Sequence, residues 1–128
     1  MIEIKKYIYL TLLVIISFIF ISCENISFNG SRTGNSSQFI VDFKVLNTTK
    51  THTMNLEQGK RINVSIKKES GDLKVYVYDS NKNYSYRSDS AFNSDFILTI
   101  DHNDNYTFEI VGSNNAKGRV EFKKIDWK

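Results

Sequence analysis

Proline is absent from this 128-residue chain, and cysteine occurs once. The missing proline accompanies frequent Asn, Ser, Lys, Ile and Tyr, a bias of AT-rich coding that carries no functional signal. The single thiol, Cys23, excludes a disulfide within the chain and a zinc site of the paired-cysteine type. Histidine is nearly as scarce, with only His52 and His102. No GxSxG elbow, HExxH helix or phosphate-cradling glycine loop occurs. Basic charge is thin as well. The formal net charge is +3, but Lys5 and Lys6 fall in the first residues, so the remainder is close to neutral. The other lysines and arginines are scattered among acids, in runs no longer than Lys67-Lys68 or Lys123-Lys124. Nucleic-acid binding needs a clustered basic face, so no nucleic-acid partner is expected.

Long apolar runs are missing too, with one exception at the start. Residues 1–22 read as a positive segment around Lys5-Lys6, an apolar stretch from Tyr7 to Ile21, and a small residue, Ser22, before Cys23. The apolar stretch is about 15 residues, short of the roughly 20 that span a bilayer as a helix. Phe20-Ile21-Ser22-Cys23 resembles the bacterial lipobox, although Phe20 stands where Leu is usual. The resemblance implies that the leader 1–22 is cleaved and that Cys23 becomes an acylated N-terminus. The protein would then be a lipoprotein on the extracytoplasmic face of a cell membrane, its membrane partner reached through palmitate-type acyl chains on Cys23. Two or more acyl chains suffice for stable anchoring. Residues 23–38 read as a tether rich in Ser, Asn and Gly, and residues 39–128 as the folded domain.

From Phe39 onward the apolar period is two. Phe39, Val41, Phe43 and Val45 share one parity, as do His52, Met54 and Leu56. Ile62, Val64 and Ile66 repeat the pattern, then Leu73, Val75 and Val77, then Phe96, Leu98 and Ile100, then Tyr106, Phe108 and Ile110. Val120 and Phe122 open a last strand, and a parity switch to Ile125 and Trp127 predicts a bulge near Lys123-Lys124. Turn chemistry falls at 57–59, 70–72, 79–83, 102–105 and 112–118. Seven or eight strands with one apolar face each predict an all-β, antiparallel β-sandwich of jelly-roll type. A closed, lipocalin-like barrel is the alternative, favoured by a hollow interior lined with Phe.

Leu56-Glu57-Gln58-Gly59, Ile62 to Ile66, Gly71 to Asp79 and Asn105 to Ile110 together resemble the small jelly-roll modules of secreted bacterial proteins, of the pre-peptidase C-terminal and carbohydrate-binding-like types. The resemblance covers residues 50–123 and implies an accessory, non-catalytic role without naming a ligand.

Chemistry-bearing residues are few. His52 lies on the apolar parity of its strand, which predicts half-buried packing. His102 sits in a turn between Asp101 and Asp104, with no nucleophile identifiable, so no catalytic residue is assigned. The turns Asp79 to Asn83 and Asp101 to Asn105 both read Asp-x-Asn-x-Asn, oxygen ligands at the alternate spacing that suits calcium. Tyr84 and Tyr106 occupy the sixth position where an EF-hand needs Gly, so side-chain turn capping is the expected role; no metal or cofactor is assigned, and calcium at these turns stays an open alternative. Tyr76 and Tyr78 fall opposite the parity of Val75 and Val77, and Tyr84 and Tyr86 follow in the next run. A hairpin closed by residues 79–83 pairs Tyr78 with Tyr84 and Tyr76 with Tyr86, and sets all four rings on one outer face. A one-residue slip would turn Tyr84 and Tyr86 inward. Such a face binds a glycan or an envelope protein, or it merely stabilises the hairpin. Lys74 and Arg87 flank it. The competing function is that of a structural or assembly subunit of an envelope complex without a small ligand. A small hydrolase or inhibitor relying on His102 ranks last.

Overall fold

The computed structural model describes residues 26–125; the leader, Cys23 and Trp127 lie outside them. Seven strands and no helix occupy this stretch: β1 (Phe28–Gly34), β2 (Gln38–Leu46), β3 (Thr49–Leu56), β4 (Arg61–Tyr78), β5 (Tyr84–Ser88), β6 (Ser94–Thr99) and β7 (Asp104–Lys124). All pairings are antiparallel. β4 and β7 are long because each serves two layers. The first half of β4 pairs with β6 and with the second half of β7, which continues to β2 and β1. The second half of β4 pairs with β5 and with the first half of β7, which continues to β3. The layers are therefore β1-β2-β7-β4-β6 and β3-β7-β4-β5, and the fold is the all-β antiparallel sandwich expected.

The alternation places one parity of each strand between the layers. Phe39, Val41, Phe43, Ile62, Val64, Ile66, Val120 and Phe122 line one inner face; Met54, Leu56, Leu73, Val75, Val77, Tyr106, Phe108 and Ile110 line the other. Rings meet across the gap, with Phe108 and Phe122 centroids 4.8 Å apart and Tyr86 and Phe96 also 4.8 Å apart. Phenylalanine thus fills the interior rather than lining a hollow, and β1, β6, β3 and β5 each pair on one side only. An open sandwich, not a closed barrel, results.

Four local expectations need correction. Residues 70–72 and 112–118 do not reverse the chain. They bend β4 and β7 from one layer into the other, with register shifts at Lys68/Ser70 and Ser70/Asp72. Gly71 takes φ +78°, and Asn114 and Asn115 take φ 54° and 55°. Asn47 holds this corner by receiving the Asn115 N–H (2.7 Å) and donating from Nδ2 to Asn115 Oδ1 (2.8 Å). Second, β1 lies inside the expected tether. Its residues are almost all exposed, so no inward alternation marks it, and its backbone pairing to β2 defines it. Third, β2 shifts register between Phe43 and Leu46, so Leu46, not Val45, is buried. Fourth, β7 keeps regular register with β4 through Lys124, without the bulge expected near Lys123-Lys124.

Candidate functional site

The outer face of the second layer carries the tyrosines. Val75 and Val77 are fully buried, so the intervening Tyr76 and the following Tyr78 point outward from β4. β5 pairs Tyr78 with Tyr84 as expected, but a bulge at Ser85 then pairs Val77 with Tyr86 and Tyr76 with Arg87. Tyr84 therefore joins Tyr76 and Tyr78 outside, while Tyr86 turns to the core and packs on Phe96. Three of the four tyrosines share a face, and Tyr86 is withdrawn from it. One extra residue reverses the side a strand presents, and no sequence signal marks Ser85 as that residue.

The three rings form one cluster. Tyr84 lies 5.8 Å from Tyr76 and 5.9 Å from Tyr78, centroid to centroid, in tilted and edge-on arrangements. Tyr84 is 53% exposed, high for so large a ring. Carboxylates fix the other two. The Tyr76 hydroxyl donates to Asp89 Oδ1 (2.7 Å), and this bond, with burial and the Asp89 charge, pushes its pKa from 10.0 up to about 12. The Tyr78 hydroxyl reaches Glu109 Oε1 at 3.4 Å, and burial first, then the Glu109 charge, raises its pKa. Arg87 lies 5.2 Å from the Tyr84 ring centre and pairs with Asp89 at 3.4 Å. Lys82 reaches within 5.9 Å of the Tyr78 ring. Threonines continue the face across the layer, with Thr53 and Thr107 hydroxyls 3.3 Å apart.

A second cluster sits at the adjoining end of the sandwich. The β4–β5 turn is capped as expected, since Asp79 Oδ1 accepts the N–H groups of Asn81 and Asn83, both at 2.9 Å. The β6–β7 turn comes against it: Asp104 Oδ2 accepts from the Ser80 hydroxyl at 2.8 Å. His102 lies between the two turns. Its Nδ1 is 2.8 Å from Asp101 Oδ1; its Nε2 is 3.2 Å from Asp79 Oδ2 and 3.6 Å from Asp104 Oδ2. The Asp101 bond, then the charges of Asp101, Asp79 and Asp104, raise the pKa of His102. Hydrogen bonding from His102 lowers that of Asp101, and hydrogen bonding from Ser80 lowers that of Asp104. Sequence reasoning finds the neighbours of His102 along the chain but misses Asp79. The twin Asp-x-Asn-x-Asn turns are the available signal: the first closes the β4–β5 hairpin, and the second links β6 in one layer to β7 in the other, so both fall at the same end of the sandwich. His52, by contrast, is half-buried against Phe39 (5.3 Å), in the packing role expected.

The fold and site define an antiparallel β-sandwich with an exposed aromatic face. No protein-family model matches the chain, and none of the curated proteins matches it in sequence. Solved structures do. The pre-peptidase C-terminal domain of a collagenase from Bacillus anthracis is 17% identical with a TM-score of 0.48, over 80% of this chain and 100% of that one. PliG of Aeromonas hydrophila, a periplasmic inhibitor of g-type lysozyme, is 10% identical with a TM-score of 0.48, over 77% of this chain and 88% of that one. A CBM4 structure is 10% identical with a TM-score of 0.37, over 76% of each chain. At such identities and TM-scores function does not transfer.

Proposed function

We propose that this chain is a membrane-anchored extracytoplasmic lipoprotein and a non-catalytic binding module, taking a glycan on the face formed by Tyr76, Tyr78 and Tyr84. The observation that carries the reading is the three-ring cluster, with Tyr84 exposed at its centre, the Tyr76 hydroxyl held by Asp89 and the Tyr78 hydroxyl directed at Glu109. Sugar rings present C–H faces to aromatic rings and hydroxyls to nearby charged groups. Arg87, Asp89, Glu109 and Lys82 supply such groups around the rings. Rings held before the ligand arrives forfeit little freedom on binding. Acylation of Cys23 holds the module at the envelope. On a glycan array, the full-length protein should retain a defined set of sugars. The Tyr76→Ala/Tyr84→Ala double variant should lose them while melting as a folded protein. Undiminished retention by that variant rules the tyrosine face out.

A second reading, an assembly subunit, is favoured by Phe92 and Ile97, which are 69% and 51% exposed around edge strand β6. Edge strands with apolar side chains pair with other chains. A photo-crosslinker at Ile97 in intact membranes should then give one stoichiometric adduct, and its absence removes this reading.

A further inference from the structure

Asp79, His102 and Asp104 offer three ligand atoms that all lie within 4.8 Å of one another. We propose that these residues form a transition-metal site of zinc type, independent of any ligand on the tyrosine face. The geometry comes first. A metal bound at about 2.0–2.2 Å by tetrahedral nitrogen and oxygen ligands sets those ligands about 3.3–3.5 Å apart. His102 Nε2 stands 3.2 Å from Asp79 Oδ2 and 3.6 Å from Asp104 Oδ2, two of the three edges of the polyhedron; the third, between the two carboxylates, lies within 4.8 Å.

The orientation of the imidazole is the second observation. Nδ1 lies 2.8 Å from Asp101 Oδ1, a carboxylate outside the ligand set. Metal-binding histidines characteristically donate their other ring N–H to such a carboxylate, which leaves the Nε2 lone pair toward the metal. The main chain of the His102 turn is pinned as well. The buried Tyr106 hydroxyl donates to the His102 carbonyl at 2.8 Å, and Asn103 Oδ1 accepts the Gln58 N–H at 2.6 Å.

Charge supplies the third. Asp79 is 3% exposed and is the buried charged residue of the described part. Its Oδ1 accepts the Asn81 and Asn83 N–H groups, whereas its Oδ2 faces His102 Nε2 at 3.2 Å, the side on which a cation would compensate the buried charge. Here three carboxylates, Asp79, Asp101 and Asp104, converge on a single imidazole, so even a protonated ring leaves negative charge in excess. A divalent ion at Nε2 would neutralise more of it. Imidazole nitrogen among the donors favours zinc, nickel or copper over calcium, which takes six to eight oxygens. A pocket of about 230 Å³ lined by Asp79, Asn83, Tyr84, Thr99, Asp101 and His102 opens beside the cluster. It leaves room for a water or an exogenous donor at a remaining coordination position, next to the exposed Tyr84 ring.

The test is calorimetric titration of the full-length protein, stripped with chelator and held in detergent, with zinc chloride and separately with calcium chloride. One equivalent of zinc should bind, and calcium should not displace it. His102→Gln and Asp104→Asn should each weaken zinc by about tenfold or more, and Asp101→Asn should weaken it about tenfold by freeing the ring. X-ray absorption of the zinc-loaded protein should show one imidazole in the coordination shell. Asp79 is buried and its replacement threatens folding. The decisive variants are therefore those at the more exposed His102 and Asp104, with thermal melts confirming that both fold. Substoichiometric zinc, zinc affinity unchanged in folded His102→Gln, or calcium preferred over zinc would each overturn the site.

Discussion

Tyr84 and Tyr86 are two residues apart on a five-residue strand and have opposite environments, because Ser85 bulges out of the pairing. Their truncations should separate accordingly. Tyr86→Ala removes a ring packed on Phe96 and the core, and should cost about 2–3 kcal/mol, somewhat less than for a fully buried aromatic. Tyr84→Ala removes only exposed cross-strand contacts and should cost about 0.5–1 kcal/mol. Urea denaturation of the two variants reads the difference directly, and equal losses would contradict the bulge. The Tyr76–Asp89 bond makes a pH prediction with two limits. The folded pKa of Asp89 is lowered, chiefly by the Tyr76 hydroxyl, so its contribution is present above the unfolded value and lost as pH falls through the folded one. The folded pKa of Tyr76 is raised, so its contribution is complete below 10.0 and lost as pH rises toward about 12. In Asp89→Asn the Tyr76 ring, followed by carbon NMR, should ionise nearer 10.0; an unmoved titration would show that Asp89 is not the cause. At this scale the sequence is partly legible. The outward parity of Tyr76 and Tyr78 can be read against the apolar Val75 and Val77, whereas a bulge leaves no trace in composition.

At the scale of elements, the strands that bury a face are legible and those that bury little are not. β4 and β7 announce themselves through Ile62, Val64, Ile66 and through Tyr106, Phe108, Ile110. β1 does not, since it contributes backbone hydrogen bonds at an edge and only Phe28 packs against the core. The glycine and asparagine signals at 70–72 and 112–118 mark the right places but the wrong event, because a layer-to-layer bend and a chain reversal use the same left-handed conformations. The bend also demands close approach. A Cβ on Gly71 would stand 2.5 Å from Ala116 Cα, and one on Gly118 would overlap the Lys67 carbonyl oxygen. Gly118→Ala should therefore destabilise the fold by about 2 kcal/mol or more, since the obstruction is backbone in the paired strand and not a side chain that can rotate. Thermal melting compared with Gly59→Ala separates the causes. Gly59 has φ +88° but open space around it, so its variant should show only the smaller conformational cost.

For the whole molecule, Ile26, the first described residue, and the two clusters lie toward opposite ends. Ile26 abuts the corner, where its carbonyl accepts from Asn47 Nδ2 at 3.1 Å. Only Glu24 and Asn25 separate it from Cys23, so acyl chains there would hold the domain within about 10–15 Å of the bilayer, closer than a tether running over residues 23–38 would. From that corner the second layer runs along β7 from Val111 back to Asp104, roughly 25 Å at strand rise. Tyr78, Tyr84 and the His102 cluster are at its far end from Ile26. On the proposed reading, a site so placed would not need the membrane to complete it. Cys23→Ala should therefore abolish radiolabelled palmitate incorporation and move the protein from the membrane to the soluble fraction, while glycan retention on the array stays unchanged. Membrane partitioning that survives Cys23→Ala would remove the acyl anchor, and binding lost with it would show that the bilayer forms part of the site, which the distal position of the tyrosines argues against.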